Sequence, residues 1–326
     1  MCIRLYLDNK NCEAGSVMRK AVIDIGTNSI KFCLAESAEN DGSFIVLRDS
    51  VSITRLGEGL RESGGISAAA LERNARAAAD FVNEARAAGA EVKIVGTMVL
   101  RSAKNAGAFI ARVRELTGEE LRVITGEEEA LLLYTAVIAG IPKAAESDFV
   151  AFDAGGGSTE FVYCARGAIK RKFSINIGCV LATDAYFPET PVPAEKLAFA
   201  RARIKKELSE GGVAPGAEML VGLGGNITAL AAVKHKMALY DAEVIHGSTL
   251  TLCDIRAQMT DYAAKTIEER RKIPGLHPQR ADVILGGACI VEAAMELCGV
   301  RSLIVSDRGM RHGLLYKLFK TRRQDF

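Results

Sequence analysis

Tryptophan is absent from this 326-residue chain and aromatic residues make up only 6% of it. That argues against a stacking surface for single-stranded bases. Neither sign of charge dominates: 42 Lys and Arg stand against 40 Asp and Glu, a net charge of +2. This excludes a basic nucleic-acid coat and an acidic disordered chain. Histidine is scarce, with four scattered copies, and the eight cysteines (2, 12, 33, 164, 179, 253, 289 and 298) include no C-x-x-C pair. No zinc site is spelled out. Most of these cysteines lie in apolar runs, where a free thiol packs as a small hydrophobe, and the pattern predicts a reduced, cytoplasmic protein. No apolar run approaches the ~20 residues that cross a bilayer. The opening "MCIRLYLDNKNCEAGSV" is too polar for a secretory signal. Neither nucleic acid nor membrane is expected as a partner.

What is present is a pattern made twice. Apolar alternation predicts strands over 20–26, 30–37 and 44–54. A helix follows Ser67 as N-cap and ends at Gly89. "EVKIVGTMVLR" reads as strand and turn, 104–117 as a helix, "LRVIT" as a strand and "EEEALLLYTAVIAG" as a helix closed by Gly140 and Pro142. The three-strand pattern then restarts at 149–154, 159–165 and 169–178, followed by helices near 194–210, 226–238, 249–267 and 278–298. "MLVGLGG" and "SLIVSD" are short buried strands, and "MRHGLLYKLFK" is a last amphipathic helix. Two copies of one α/β unit predict two domains, 19–140 and 141–307, with the C-terminal helix of 308–326 returning to the first. Met18, just before the first strong strand, marks residues 1–18 as an N-terminal extension or an upstream start.

Both halves place an acidic, glycine-bearing turn after their first strand: "DIGTNS" at 24–29 and "DAGGGSTE" at 153–160. Glycine lets the backbone turn tightly and approach a ligand, and successive N–H groups there make a nest for an anion. The first turn offers Gly26, Thr27, Asn28 and Ser29; the second offers Gly155, Gly156, Gly157, Ser158 and Thr159. Asp24 and Asp153 repel phosphate but suit a hard cation such as Mg²⁺ that bridges to it. Either turn alone is an ordinary hairpin bend. Their recurrence at matching places favours phosphate groups gripped across an interdomain cleft. A third turn, "LVGLGGNITALA", sets Gly222, Gly224, Gly225 and Asn226 at the start of a helix whose dipole suits an anion.

In order along residues 19–320, "DIGTNS", "VGTMVLRSAKN", "GEEEA", "DAGGGSTE", "VGLGGNITALA", "IPGLHPQRADVILGGA" and "VSDRGMRHGLLY" resemble the exopolyphosphatase/guanosine pentaphosphate phosphohydrolase (Ppx/GppA) family, in its short two-domain form. The resemblance implies the duplicated actin-like (ribonuclease H-like) fold of the sugar kinase, chaperone ATPase and actin superfamily, with the active site in the interdomain cleft. It implies Glu129 as the base that activates water, with Glu128 the candidate under a one-residue shift of register. It implies Glu160 as an active-site carboxylate sharing Mg²⁺ or water with Asp153, and Arg101 as a phosphate ligand. The chain departs from the family at Asn226, often Thr there, with Thr228 two residues on. It departs again at Arg308, where some relatives carry Gly.

For Glu127, Glu128 and Glu129 taken singly, a helix first turn is explanation enough. Arg280, Arg308 and Arg311, with the runs at 170–172, 234–236 and 270–272, are candidate polyanion contacts, although solvated faces explain most of them equally well. His246 reads as structural. The expected activity is Mg²⁺-dependent release of terminal orthophosphate from polyphosphate. Guanosine pentaphosphate is the alternative substrate, and a kinase or a nucleotide-binding regulator on the same fold is a further alternative. Family analogy adds a homodimer as a way to lengthen a polyanion groove.

Overall fold

The computed structural model describes residues 17–38, 43–216 and 218–320. The supposed extension therefore lies mostly outside the described residues, as do Cys2, Cys12 and the last six positions.

The first half opens with β1 (Arg19–Ile25), β2 (Ile30–Ser37) and β3 (Phe44–Ser52). Then come α1 (Leu60–Ser63), α2 (Ala68–Ala87), β4 (Glu91–Gly96), α3 (Met98–Ser102), α4 (Ala106–Thr117), β5 (Leu121–Val123) and α5 (Gly126–Gly140). Ser67 caps α2 as expected, accepting from the Ala70 amide. "TMVLR" is more than a turn: Met98–Ser102 coil into the short helix α3, which buries Met98, Val99 and Leu100.

The second half repeats the plan with β6 (Phe149–Ala154), β7 (Thr159–Ala165) and β8 (Ala168–Ile175). It continues with α6 (Cys179–Tyr186), α7 (Ala194–Glu210), β9 (Met219–Leu223), α8 (Gly225–Lys234), α9 (Ala242–Ile245) and β10 (Thr249–Thr251). Last are α10 (Leu252–Ala263), α11 (Ile267–Arg270), α12 (Ile284–Cys298), β11 (Ser302–Ser306) and α13 (Met310–Lys320). Two helix starts differ from expectation. Thr249–Thr251 pairs with β11 as a strand, and Thr251 caps α10 through a capping box with Asp254. The helix expected from 278 begins at Ile284, behind a 3₁₀ turn at Pro278–Arg280.

The sheets run β3-β2-β1-β4-β5 and β8-β7-β6-β9-β11-β10, so the second repeats the first with one strand added. In each, an antiparallel three-strand meander is continued by parallel pairing on its first strand. Registers repeat too: Asp24 lies opposite Lys31, and Asp153 opposite Glu160.

One large core packs the second sheet against α7, α8, α10 and α12. Another packs the first sheet against α2 and α4. The helices at the junction exchange partners: α5 puts Leu133 and Val137 against Phe149 and Val162 of the second sheet, whereas α13 lays Leu314, Leu315, Leu318 and Phe319 over Val22, Cys33 and Ala35 of the first. α5 and α13 meet closely, since a Cβ on Gly313 would lie 1.9 Å from the carbonyl oxygen of Leu132. Gly313→Ala should therefore force two backbones apart and cost about 1–3 kcal/mol, read as a lowered thermal midpoint.

Candidate active site

The twin turns close with the same bond. The Gly26 amide donates to Ser29 O and the Gly155 amide to Ser158 O, each at 3.0 Å. They also touch across the halves: a Cβ on Gly156 would lie 3.0 Å from the Asn28 amide nitrogen, and one on Gly157 2.5 Å from Thr27 Oγ1. Asp24, Thr27, Asn28 and Ser29 are buried there, as are Asp153, Ser158 and Glu160. Together they line a chamber of about 60 Å³. The chamber shares Lys31, Asp153, Gly225 and Arg280 with a cleft of about 1120 Å³, whose outer walls include Val46, Val51, Tyr240, Pro274 and Arg308.

Glu129 enters the chamber from the first turn of α5 and is 8% exposed. Helix α5 starts where it does because Thr125 Oγ1 accepts from the Glu128 amide while the Glu128 carboxylate accepts from the Thr125 amide. That capping box, with an ion pair to Arg122, takes Glu128 out of the site. Glu127 is exposed and faces Lys172 at 3.4 Å. Of the three acids only Glu129 points inward, where Arg101 holds it through an ion pair while also donating to Ile124 O at 2.7 Å. Burial, then the neighbouring Glu160, push the Glu129 carboxyl upward, and Arg101 pulls it back. Glu160 is raised by burial and by Asp153, against the Ser158 and Ser174 hydroxyls that donate to its Oε1 at 2.6 and 2.8 Å.

Several expected phosphate donors are already engaged. Ser158 serves Glu160. Thr159 is fully buried and donates to Ile177 O at 2.6 Å. Asn226 Nδ2 donates to Ala154 O at 2.7 Å, which locks the third turn to β6 and leaves only backbone at that helix start for an anion. Arg311 forks onto Asp49 with two bonds of 2.8 Å, and Arg308 donates to Tyr316 Oη at 3.0 Å. Two members of the basic runs are engaged elsewhere: Arg270 is fully buried, donating to Tyr262 O, and Lys234 pairs with Asp254. His246 joins Gly140 O at 2.9 Å, a structural role.

Three polar atoms remain unpartnered in the buried lining of the chamber: Asn28 Nδ2, Asp153 Oδ1 and Asn226 Oδ1. An orphan carboxylate oxygen beside Asp24 and Glu160 suits a hard cation. Gly224, at φ +88°, keeps that oxygen clear, since a Cβ there would lie 2.0 Å from Asp153 Oδ1. Among the described residues, the trio with ligand atoms all within 4.8 Å of each other is Cys33, Asp49 and His312, and the Arg311 fork on Asp49 disqualifies it. The chamber's acids stand wider apart, as suits an ion that keeps waters and substrate oxygens in its shell.

Lys31 is the residue that sequence reasoning passed over. Its Nζ lies 3.3 Å from Asp24 Oδ2, and the charges of Asp24 and Asp153 raise its pKa against the pull of burial. The cross-strand register is the signal that would have found it: Lys31 and Glu160 occupy corresponding places in the two halves.

Residues 33–322 match the model of the Ppx/GppA phosphatase family. The chain belongs to the Ppx/GppA phosphatase family. It is 31% identical over 318 residues to the exopolyphosphatase 2 of Mycobacterium tuberculosis, covering 93% of this chain and 99% of the relative. It is 28% identical to a guanosine-5'-triphosphate,3'-diphosphate pyrophosphatase of Vibrio vulnificus, covering 96% of this chain but only 62% of that protein. Among solved structures, a Ppx/GppA family member from Aquifex aeolicus superposes with a TM-score of 0.79 at 32% identity, covering 95% of this chain and 100% of that one. The fold is the duplicated actin-like one, two mixed sheets flanked by helices.

Proposed function

We propose that this Ppx/GppA protein is an exopolyphosphatase that removes terminal orthophosphate from inorganic polyphosphate. The observation that carries the reading is the chamber itself: twin anion nests, an inward-facing Glu129 and three further carboxylates, opening into one large cleft. The terminal phosphoryl group sits between the amides of Gly26–Ser29 and Gly155–Gly157, with the rest of the chain in the cleft. Asp24, Asp153 and Glu160 would hold a divalent ion such as Mg²⁺, which when bound neutralises phosphoryl charge. Glu129 takes a proton from the attacking water as the new P–O bond forms. The anhydride P–O bond breaks, and its electron pair leaves on the oxygen of the shortened chain beside Lys31 and Arg280.

The deciding assay supplies Mg²⁺ and polyphosphate with no acceptor and follows free phosphate. Release supports hydrolysis, whereas release that requires a sugar supports a kinase. Omitting the divalent ion, or adding EDTA, should abolish turnover. One feature favours guanosine pentaphosphate as the second reading: Val46, Val51, Tyr240 and Pro274 give the outer cleft apolar walls that a nucleoside would fill.

Because Arg101 favours the ionised form of Glu129, removing that charge raises the carboxyl pKa further. The base must be deprotonated to work, so activity rises with pH through its pKa. Arg101→Ala should shift the acidic limb of the kcat profile to higher pH and lower kcat at neutral pH.

A further inference from the structure

The loop after β3 joins the first turn to the far side of the cleft. The Arg55 amide donates to Asn28 O and the Gly57 amide to Thr27 O, both at 2.9 Å, so the loop is fixed on the first anion nest. Arg55 has φ +52°, one of three non-glycine residues in the left-handed region among those described. Such a backbone persists only where its surroundings hold it. Here it sends the side chain across the halves: Nη2 meets Asp282 Oδ2 at 2.8 Å and donates to Gln279 O at 3.2 Å. Between those two partners in sequence stands Arg280, whose guanidinium covers the third turn closely enough that a Cβ on Gly225 would lie 2.2 Å from its Nη2.

We propose that Arg55 is a positioning residue, a latch that pins the Arg280-bearing turn over the phosphate chamber and holds the two halves closed on substrate. Arg55 touches no reacting atom in this scheme. It sets the fraction of molecules whose cleft is assembled, and apparent affinity falls in proportion to that fraction. The inference rests on the chamber being the phosphate site, and part of its test does not depend on turnover.

Arg55→Ala should raise KM for polyphosphate about fivefold and leave kcat within about twofold, the scale a half-exposed ion pair commands. It should weaken tripolyphosphate binding, measured by calorimetry, by the same factor. By small-angle scattering its radius of gyration without ligand should exceed that of the native chain and return on adding tripolyphosphate. Arg55→Lys, which keeps the charge without the fork, should recover part of the affinity. Adding Asp282→Asn to Arg55→Ala should bring no further loss. Additive losses, or an Arg55→Ala protein with native affinity and native dimensions, would overturn the latch. If Arg55→Ala folds poorly, Asp282→Asn carries the same test with the backbone of the loop untouched. Should the native chain fail to hydrolyse polyphosphate, the functional reading falls, while tripolyphosphate affinity and scattering still decide the latch.

Discussion

Glu129→Gln should reduce kcat on polyphosphate by about 10²–10⁴-fold, the range over which general-base catalysis contributes. The substitution keeps the shape and replaces an acceptor-only carboxylate with an amide that takes no proton. Binding of tripolyphosphate should persist within a few fold, because in the proposed mode the backbone amides of the twin turns, and not Glu129, grip the anion. Removing a negative charge from the chamber can even tighten it. The contrast with Glu128 is the internal control. Glu128→Gln leaves the inward carboxylate in place and weakens only a helix cap and an exposed ion pair. It should retain near-native kcat while lowering stability by about 1 kcal/mol or less. A Glu129→Gln enzyme with near-full turnover would end the assignment.

Asp153→Asn is expected to have the other large effect. Asp153 Oδ1 finds no hydrogen-bond partner within the chain, although buried polar atoms are nearly always partnered. Burial and the charge of Asp24 push this carboxyl's pKa up. Neutralising it should relieve repulsion and stabilise the metal-free chain, while metal-dependent turnover falls by two orders of magnitude or more. The two readouts move in opposite directions. A merely structural aspartate would lose stability along with activity. Thermal melting with and without added Mg²⁺ gives the decisive comparison: the native chain should gain stability from the ion, and Asp153→Asn should gain little.

The duplicated plan was legible because it rests on period and punctuation. Strands of alternating or continuous apolar residues, broken at Asp-x-Gly, placed both meanders within a few residues of where they lie. Which of the three adjacent glutamates turns inward was not legible from local pattern alone. That depends on Thr125 being free to cap the helix and so claiming the Glu128 carboxylate. Nor could sequence separate free phosphate donors from engaged ones. Thr159 and Asn226 look like ligands in a motif, and only the fold shows them bonded to Ile177 O and Ala154 O. Two of the candidate cations misled for the same reason: Arg270 is in the core and Arg311 is matched by Asp49 from a strand 262 positions away. Short elements escaped as well, because α3 and β10 are too brief to show a period.

The exchange of helices at the junction also dictates the order in which this protein can be finished during synthesis. The apolar face formed by Val22, Cys33 and Ala35 is made almost first, yet its cover is Leu314, Leu315, Leu318 and Phe319. A growing chain must carry that bare face through the translation of nearly the whole second half. The first sheet is thus completed by a helix that follows the whole second half, a non-local contact that must wait for residues 310–320 to be made.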